Sequence, residues 1–192
     1  EFDTEGAEFA LRHVIHGLFW ELSGYTPAEV CDLLAGRPER FSEAARSLAL
    51  ALGEADGDTP GPPAGPALAL WRAALAAGLP AEAYSGWGTF ALAEAVDQGD
   101  WLELTLHTAA LPRVNLAEPD EIAERAEKAP AGDAVLELLG LLLAADPKAW
   151  ELERIGAVGL RLLRSGSGST ALRAEFRERL LERGFNEAAE ID

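Results

Sequence analysis

Signals for the beginning and end of an α-helix recur along this chain, and they constrain its fold more than any other feature. In Thr26-Pro27-Ala28-Glu29, threonine can cap the first turn, proline suits the first helical position, and glutamate can reach back to the cap. Asp100-Trp101-Leu102-Glu103 has the same reciprocal spacing, and Glu118-Pro119 and Asp146-Pro147 predict two more starts. Glycines that can take the left-handed conformation predict helix ends at Gly24, Gly36, Gly53, Gly78, Gly99 and Gly184.

Between these signals the apolar residues recur at helical spacing, as in Leu152, Ile155, Val158 and Leu162. No stretch alternates apolar and polar residues for long enough, with β-branched enrichment, to predict a strand. We therefore predict an all-α protein of about ten helices. The predicted helices lie near residues 5–23, 27–35, 38–54, 66–78, 87–98, 100–110, 119–128, 133–145, 147–164 and 170–183.

The connections between the predicted helices are short, which favours antiparallel neighbours. Units that begin at Pro27, Pro66 and Pro147 each suit a helix pair of roughly 35–40 residues, a length typical of helical solenoids. Their internal sequences do not match a repeat family. Two arrangements remain open: an irregular stack of antiparallel helix pairs with a HEAT-like layout, which we favour, and a globular helical bundle. The helix at 133–145 is apolar on nearly all sides and should lie centrally in either arrangement.

Residues 1–192 are expected to form a single all-helical domain. The segment 56–65, rich in glycine, proline and aspartate, is the clearest loop and a candidate for a weak subdivision. Ser165–Ser169 alternates serine with glycine and predicts a second turn, although the same regularity would suit an engineered linker.

The chain carries 16 basic and 33 acidic residues, a formal net charge of −17. Such a charge repels nucleic-acid backbones and anionic lipid headgroups, because binding either requires clustered lysine and arginine. We therefore expect neither a nucleic-acid nor a membrane partner. The expected partner is a protein that is basic, or a second copy of the chain. The acidic excess lies before residue 161, since six arginines balance six acidic residues from there to Asp192.

Nothing in the chain predicts a membrane span or a secretory signal. The longest apolar stretch, Val135–Ala145, is interrupted by Glu137 and is too short to cross a bilayer. A single cysteine permits no internal disulfide, which fits a reducing cytoplasm. Arginine outnumbers lysine 14 to 2, a bias that suggests a bacterial genome rich in GC, and the absence of methionine suggests a piece of a longer protein.

The stretch LRHVIHGLFWELSGYTPAEVCDLL, residues 11–34, contains two of the three histidines and the only cysteine. Its first helix has an aliphatic face and, opposite, a face that carries His13, His16 and Trp20. We expect this helix to be packed on both sides, with its imidazoles hydrogen-bonded in the interior. Cys31 borders an apolar stripe and is interpreted as a small buried hydrophobe.

The same stretch also has the succession of helix, glycine turn and capped helix that is typical of a helix-turn-helix. A DNA reader needs basic or amide side chains at the start of its second helix. This chain has Glu29 and Asp32 there. We therefore exclude DNA recognition through this element.

A metal site is the functional alternative for the histidines. His13 and His16 share a helix face, and Glu103 and His107 could supply two more ligands from another helix. The Glu-x-x-His pair of carboxylate-bridged di-iron sites, His-Glu-x-x-His and Cys-x-x-Cys are all missing from the sequence. A metal bound by these four residues remains an alternative hypothesis, and we predict no cofactor.

Arginines of the last two predicted helices form the other candidate site. Arg173, Arg177 and Arg179 are interleaved with glutamates, a pattern typical of a solvated helix face. The alternative is an interaction surface, in which these arginines, together with Arg161 and Arg164, meet the acidic surface of a partner or of a second copy.

Five tryptophans are many for this length, and they stand at positions 20, 71, 87, 101 and 150. Trp101 and Trp150 lie at predicted helix starts, and Trp87 is flanked by glycines in YSGWGTF. We interpret these three as buried side chains that pack between helices. For Trp87, the alternative is that it belongs to the interaction surface.

No P-loop, nucleophile elbow or dinucleotide fingerprint is present, so the sequence offers no constellation for catalysis. We predict a non-catalytic protein–protein interaction or regulatory module, part of a larger bacterial protein. Two alternatives remain: a helical-bundle enzyme or sensor that holds a metal or small ligand, and an acidic decoy that inhibits a basic partner surface.

Overall fold

The computed structural model describes residues 64–87, 97–130 and 132–191 of the chain. These residues contain six α-helices, two short 3₁₀ helices and no strand, which confirms the all-α prediction for this part of the chain. The α-helices are α1 Ala64–Ala77, α2 Gln98–Ala109, α3 Pro119–Lys128, α4 Asp133–Ala144, α5 Ala149–Arg164 and α6 Thr170–Glu182. The 3₁₀ helices are Ala81–Ala83 and Asn186–Glu190.

Some predicted elements lie outside the described residues. These are the helices at 5–23, 27–35 and 38–54, and most of the helix at 87–98. The predicted loop at 56–65 also lies outside them, except for its last two residues, which begin α1. The total of about ten helices therefore stays a prediction.

Glycines in the left-handed conformation close two of the predicted helix ends. Gly78 (φ 63°) follows α1, and Gly184 (φ 90°) follows α6. After α6, Gly184 N–H donates to Leu181 O and Phe185 N–H donates to Leu180 O, both at 3.0 Å. This pair of bonds satisfies carbonyls that the helix itself leaves without partners. Glycine adopts the conformation without a steric penalty, which is why the sequence marks these ends.

The start of α2 differs from the prediction. Asp97, not Asp100, is the N-cap, and its Oδ1 accepts hydrogen bonds from Gly99 N–H at 2.9 Å and Asp100 N–H at 3.1 Å. Gly99, predicted to end a helix, lies in the first turn of α2. A capped first turn tolerates glycine because the side chain of Asp97 satisfies its free N–H groups.

Aromatic side chains fill the core between α1 and α2. Trp71, Trp87 and Trp101 are each at most 1% exposed. The ring centroids of Trp71 and Trp87 lie 5.7 Å apart, and Trp71 Nε1 donates to Thr108 Oγ1 of α2 at 2.9 Å. These tryptophans therefore join elements within the core. For Trp87 this corrects the alternative assignment to an interaction surface, because its indole is enclosed.

Helix α4 lies at the centre of the described helices, as its sequence predicts. It contacts α2, α3, α5 and α6, and Leu136, Leu138 and Leu139 are at most 1% exposed. Within the described ranges, neither α4 nor any other helix has the length and apolarity needed to cross a membrane.

Helix α3 packs beside α5, and α4 packs beside α6. Arg154 of α5 contacts Asp120 at the start of α3, and Arg161 contacts Glu127 near its end, each across 34 residues of sequence. Because both contacts have the same separation, α3 and α5 run in the same direction. Helix α4 also contacts α2, so α2, α4 and α6, which begin at residues 98, 133 and 170, form a row.

Glycines on α5 allow α6 and the C-terminal segment to approach closely. A Cβ atom on Gly159 would lie 2.6 Å from the ring of Phe176, and one on Gly156 would overlap the ring of Phe185. Phe176 is 2% exposed. The small residues therefore permit an aromatic ring to lie directly on the helix backbone.

The turn between α5 and α6 is an ordered connection. Gly166 (φ 76°) closes α5, with its N–H donating to Leu163 O at 3.0 Å and Ser167 N–H donating to Leu162 O at 3.1 Å. Ser169 then caps α6. The alternating serines and glycines predicted as a turn thus end one helix and begin the next.

Candidate functional site

The predicted metal ligands fall into two groups. Glu103 and His107 are both exposed and lie one turn apart on α2. His13 and His16 lie outside the described residues. Among the residues that the structure describes, no group of three or more histidine, cysteine, aspartate or glutamate side chains could hold a metal ion. Metal binding by these four residues therefore stays a prediction.

Arg161, predicted to bind an acidic surface of a partner, binds an acidic residue of its own chain. Its Nε and Nη2 donate to Oε1 and Oε2 of Glu127 on α3 at 2.6 and 2.7 Å. The hydrogen bonds from Arg161 lower the pKa of Glu127, and those to Glu127 raise the pKa of Arg161. The guanidinium thus joins α5 to α3.

The three arginines of α6 also have partners within the chain. Arg173 donates to Leu163 O at 3.4 Å, Arg177 to Ile191 O at 2.9 Å, and Arg179 to Glu175 Oε1 at 2.7 Å. Arg164 is exposed at the end of α5. Two of these partners are backbone carbonyls outside α6, and the third lies one turn away on the same helix. An interaction surface formed by the five arginines stays a prediction.

A groove of about 530 Å³ lies at the end of the stack where α3 and α5 begin. We call it the Trp150 groove; it is lined by residues 115–119, Leu142, 145–148, Trp150 and Glu151. Two smaller cavities, of about 190 and 120 Å³, lie against α6 and are lined in part by Arg179 and by Arg173 and Arg177. Of these three cavities, the Trp150 groove is the one that falls in the size range of common ligand pockets.

Trp150 is the exposed aromatic residue of this groove. Its exposure is 51%, and no other large hydrophobic side chain of the described residues is exposed. It stands five residues before Ile155, which is fully buried; at the helical angle per residue, the two point about 140° apart around α5. Trp150 therefore faces away from the core, and its interpretation as a buried side chain that packs between helices is wrong.

The start of α5 arranges charged groups around this indole. Glu151 is buried, and its carboxylate accepts hydrogen bonds from the backbone N–H of Lys148 at 2.7 Å and from Lys148 Nζ at 3.3 Å. The helix begins at Ala149, two residues later than the predicted start. Lys148 Nζ also lies 5.6 Å from the centroid of the Trp150 ring, within the range of a cation–π contact.

Two residues of the groove wall have left-handed backbone conformations. Glu118 has φ 52° and Asp146 has φ 58°. Such a conformation in a residue with a Cβ atom costs on the order of 1 kcal/mol and occurs frequently at functional sites. Glu118 stands immediately before α3, and Asp146 follows the C-cap of α4 in the connection to α5, so the strain accompanies the sharp turns that shape the groove.

Acidic residues at the start of α3 extend the negative charge beside the groove. Burial raises the pKa of Glu121, and the nearby charges of Glu118, Asp120 and Glu124 raise it further. Asp120 is 1% exposed; its Oδ2 accepts from Arg154 at 3.2 Å, whereas its Oδ1 is buried without a hydrogen-bond partner. This end of the molecule therefore has a concentrated negative field.

No protein-family model matches the chain, and the comparisons with curated proteins and with solved structures give no significant match.

Proposed function

We propose that the chain is a non-catalytic protein–protein interaction module built on a stack of helix pairs. In this proposal α3–α4 and α5–α6 are two units of a HEAT-like layout. The parallel packing of α3 with α5, and the row of α2, α4 and α6, support it. Stacks of this kind present extended surfaces on which partners bind.

Exposure of Trp150 in the groove is the observation that carries the proposal. Burying a tryptophan removes a large apolar area from water, and the indole N–H can still find a hydrogen-bond partner at an interface. Tryptophan is accordingly enriched among the residues that contribute most to binding. The other tryptophans of the described residues are enclosed, so their positions are explained by packing.

Quantitative partner capture from the native host tests this function. The wild-type chain, Trp150→Ala and the matched control Arg164→Ala, which changes an exposed residue at the opposite end of α5, would serve as baits. We expect partners held by the wild type and by Arg164→Ala to be lost with Trp150→Ala, and the purified partner to bind this variant at least about tenfold more weakly. Equal retention by all three baits would contradict the proposal.

A further inference from the structure

We propose that the Trp150 groove binds a lysine- or arginine-containing segment of a partner protein, whose cationic side chain takes the place of Lys148 on the indole of Trp150. This inference rests on the proposed function, since it names the class of partner that the module would bind. The groove's own charges, its apolar wall and the position of Lys148 support it.

Lys148 shows that the face of Trp150 accepts a cation. Its ammonium lies 5.6 Å from the centroid of the indole. The side chain of Lys148 is nevertheless 74% exposed, and its contact with Glu151 Oε1 is 3.3 Å long. Such an exposed contact contributes little free energy, so a partner's cation can displace it.

The charges of the groove complement a cation. Three acidic side chains, Glu118, Asp146 and Glu151, line it, and Lys148 is the single basic residue of the lining. The side chain of Asp146 is 95% exposed, and its contact with Arg183 is 3.6 Å long. A partner's guanidinium or ammonium would therefore meet the exposed carboxylates of Glu118 and Asp146.

The apolar part of the wall favours a peptide segment over a free cation. Leu116, Ala117, Leu142 and Pro147 form this part of the lining. The aliphatic stems of lysine and arginine pack on such surfaces while their charged ends stay near water. A segment that carries these side chains can fill both parts of the groove together.

The starts of α3 and α5 would favour an anion, because helix N-termini carry partial positive charge. The chain's own carboxylates neutralise both. Glu151 accepts a backbone N–H at the start of α5, and Asp120 and Glu121 lie in the first turn of α3. Leu142, close to the C-terminal and negative end of α4, also lines the groove. The balance therefore favours a cation.

Binding of labelled deca-arginine, measured by fluorescence anisotropy near physiological salt, tests the inference. Deca-glutamate and inorganic phosphate are the anionic probes. We expect Trp150→Ala to weaken deca-arginine binding about fivefold, the range of an exposed cation–π contact, and Lys148→Ala to strengthen it about threefold by removing the competing cation. The indole N–H resonance of Trp150, assigned with Trp150→Phe, should shift during the titration.

Lys128→Ala is the matched control for charge. It removes the chain's other lysine, which is exposed at the far end of α3. That helix has ten residues, so Lys128 stands about 14 Å from the groove along its axis, beyond the screening length at this salt. Circular dichroism on every variant separates lost binding from lost folding. We expect Lys128→Ala to bind deca-arginine as the wild type does.

Three outcomes would overturn the inference: deca-arginine binding that Trp150→Ala leaves unchanged, equal effects of Lys148→Ala and Lys128→Ala, or deca-glutamate or phosphate that shifts the Trp150 resonance. If one of these occurs while Trp150→Ala still loses partners in the capture experiment, the basic segment is wrong and the interaction module stands. If Trp150→Ala changes neither measurement, both proposals fail.

Discussion

Arg161 on α5 and Glu127 on α3 form a bidentate pair, and seven residues earlier in both helices Arg154 contacts Asp120 across the same sequence separation of 34 residues. Seven residues are about two helical turns, so the two contacts lie on one side of each helix. The arginines of one helix pair thus meet carboxylates of the preceding pair. These contacts keep α3 and α5 in register at the edge of their apolar interface.

Removing Arg161 or Glu127 should lower stability modestly. The pair is bidentate but about half exposed, with side-chain exposures of 52% and 31%, so we expect a coupling energy of about 0.5–1 kcal/mol. A double-mutant cycle with Arg161→Ala and Glu127→Gln, measured by urea unfolding at neutral pH, gives this energy. Additive single-variant effects would contradict the prediction.

The coupling energy between Arg161 and Glu127 should decrease as the pH falls. Hydrogen bonding to Arg161 lowers the pKa of Glu127 below its ordinary value of 4.5, so the carboxylate stabilises the fold above that value. As the pH falls through the lowered pKa, Glu127 binds a proton and this stabilisation is lost. The cycle repeated near pH 3 should therefore give a smaller coupling energy than at neutral pH.

Glu121→Gln should raise stability at neutral pH. Burial and the charges of Glu118, Asp120 and Glu124 raise the pKa of Glu121, which means that its ionised form disfavours the folded state. We expect a gain of up to about 0.5 kcal/mol, the size of like-charge effects on a helix surface. Since protonation relieves the same repulsion, the gain should disappear as the pH falls through the raised pKa. A gain that persists in acid would point to another cause.

Gly159→Ala should destabilise the protein although alanine is the better helix former. The added Cβ would lie 2.6 Å from the ring of Phe176, and overpacking of this kind costs about 1–3 kcal/mol. Ala157→Gly, at an exposed position of the same helix, measures helix propensity alone. Phe176→Leu in the Gly159→Ala background should recover part of the loss. Thermal unfolding compares the three, and a stabilised Gly159→Ala variant would refute the close contact.

Asp97→Ala should cost more than Asp100→Ala. Asp97 accepts two backbone hydrogen bonds as the cap of α2, and loss of such a cap costs about 1 kcal/mol. Asp100 pairs with Arg72 at 2.7 Å, but both side chains are more than 40% exposed, so its loss should cost at most about 0.5 kcal/mol. Urea unfolding of both variants checks the order.

Local sequence signals predicted some helix starts correctly and the cap of α2 incorrectly. The starts of α3 and α4 were predictable because each depends on a few adjacent residues, such as Glu118-Pro119. At α2 the sequence contains two aspartates three residues apart. The spacing from Asp100 to Glu103 suits a reciprocal cap, so spacing alone favours the wrong one; the choice depends on backbone geometry that the sequence does not display.

The exposure of Trp150 could be predicted from the sequence, whereas the groove around it could not. Helical spacing relative to Ile155 already places the indole away from the core, and that signal was available. The groove itself joins the loop before α3 to the loop before α5, and their proximity follows from the packing of α3 beside α5. The partners of Arg161, Arg173 and Arg177 were unpredictable for the same reason, because they lie outside the helix that carries each arginine. The pair of Arg179 with Glu175, by contrast, has the i,i+4 spacing that the sequence displays.

Only two residues lie between Gly166, which closes α5, and Ser169, which caps α6. Inserting or deleting one residue there would turn α6 by about 100° about its axis and carry Phe176 away from Gly159. Changes in chain length should consequently be tolerated poorly at this point, because they would separate Phe176 from the glycine on which its ring lies.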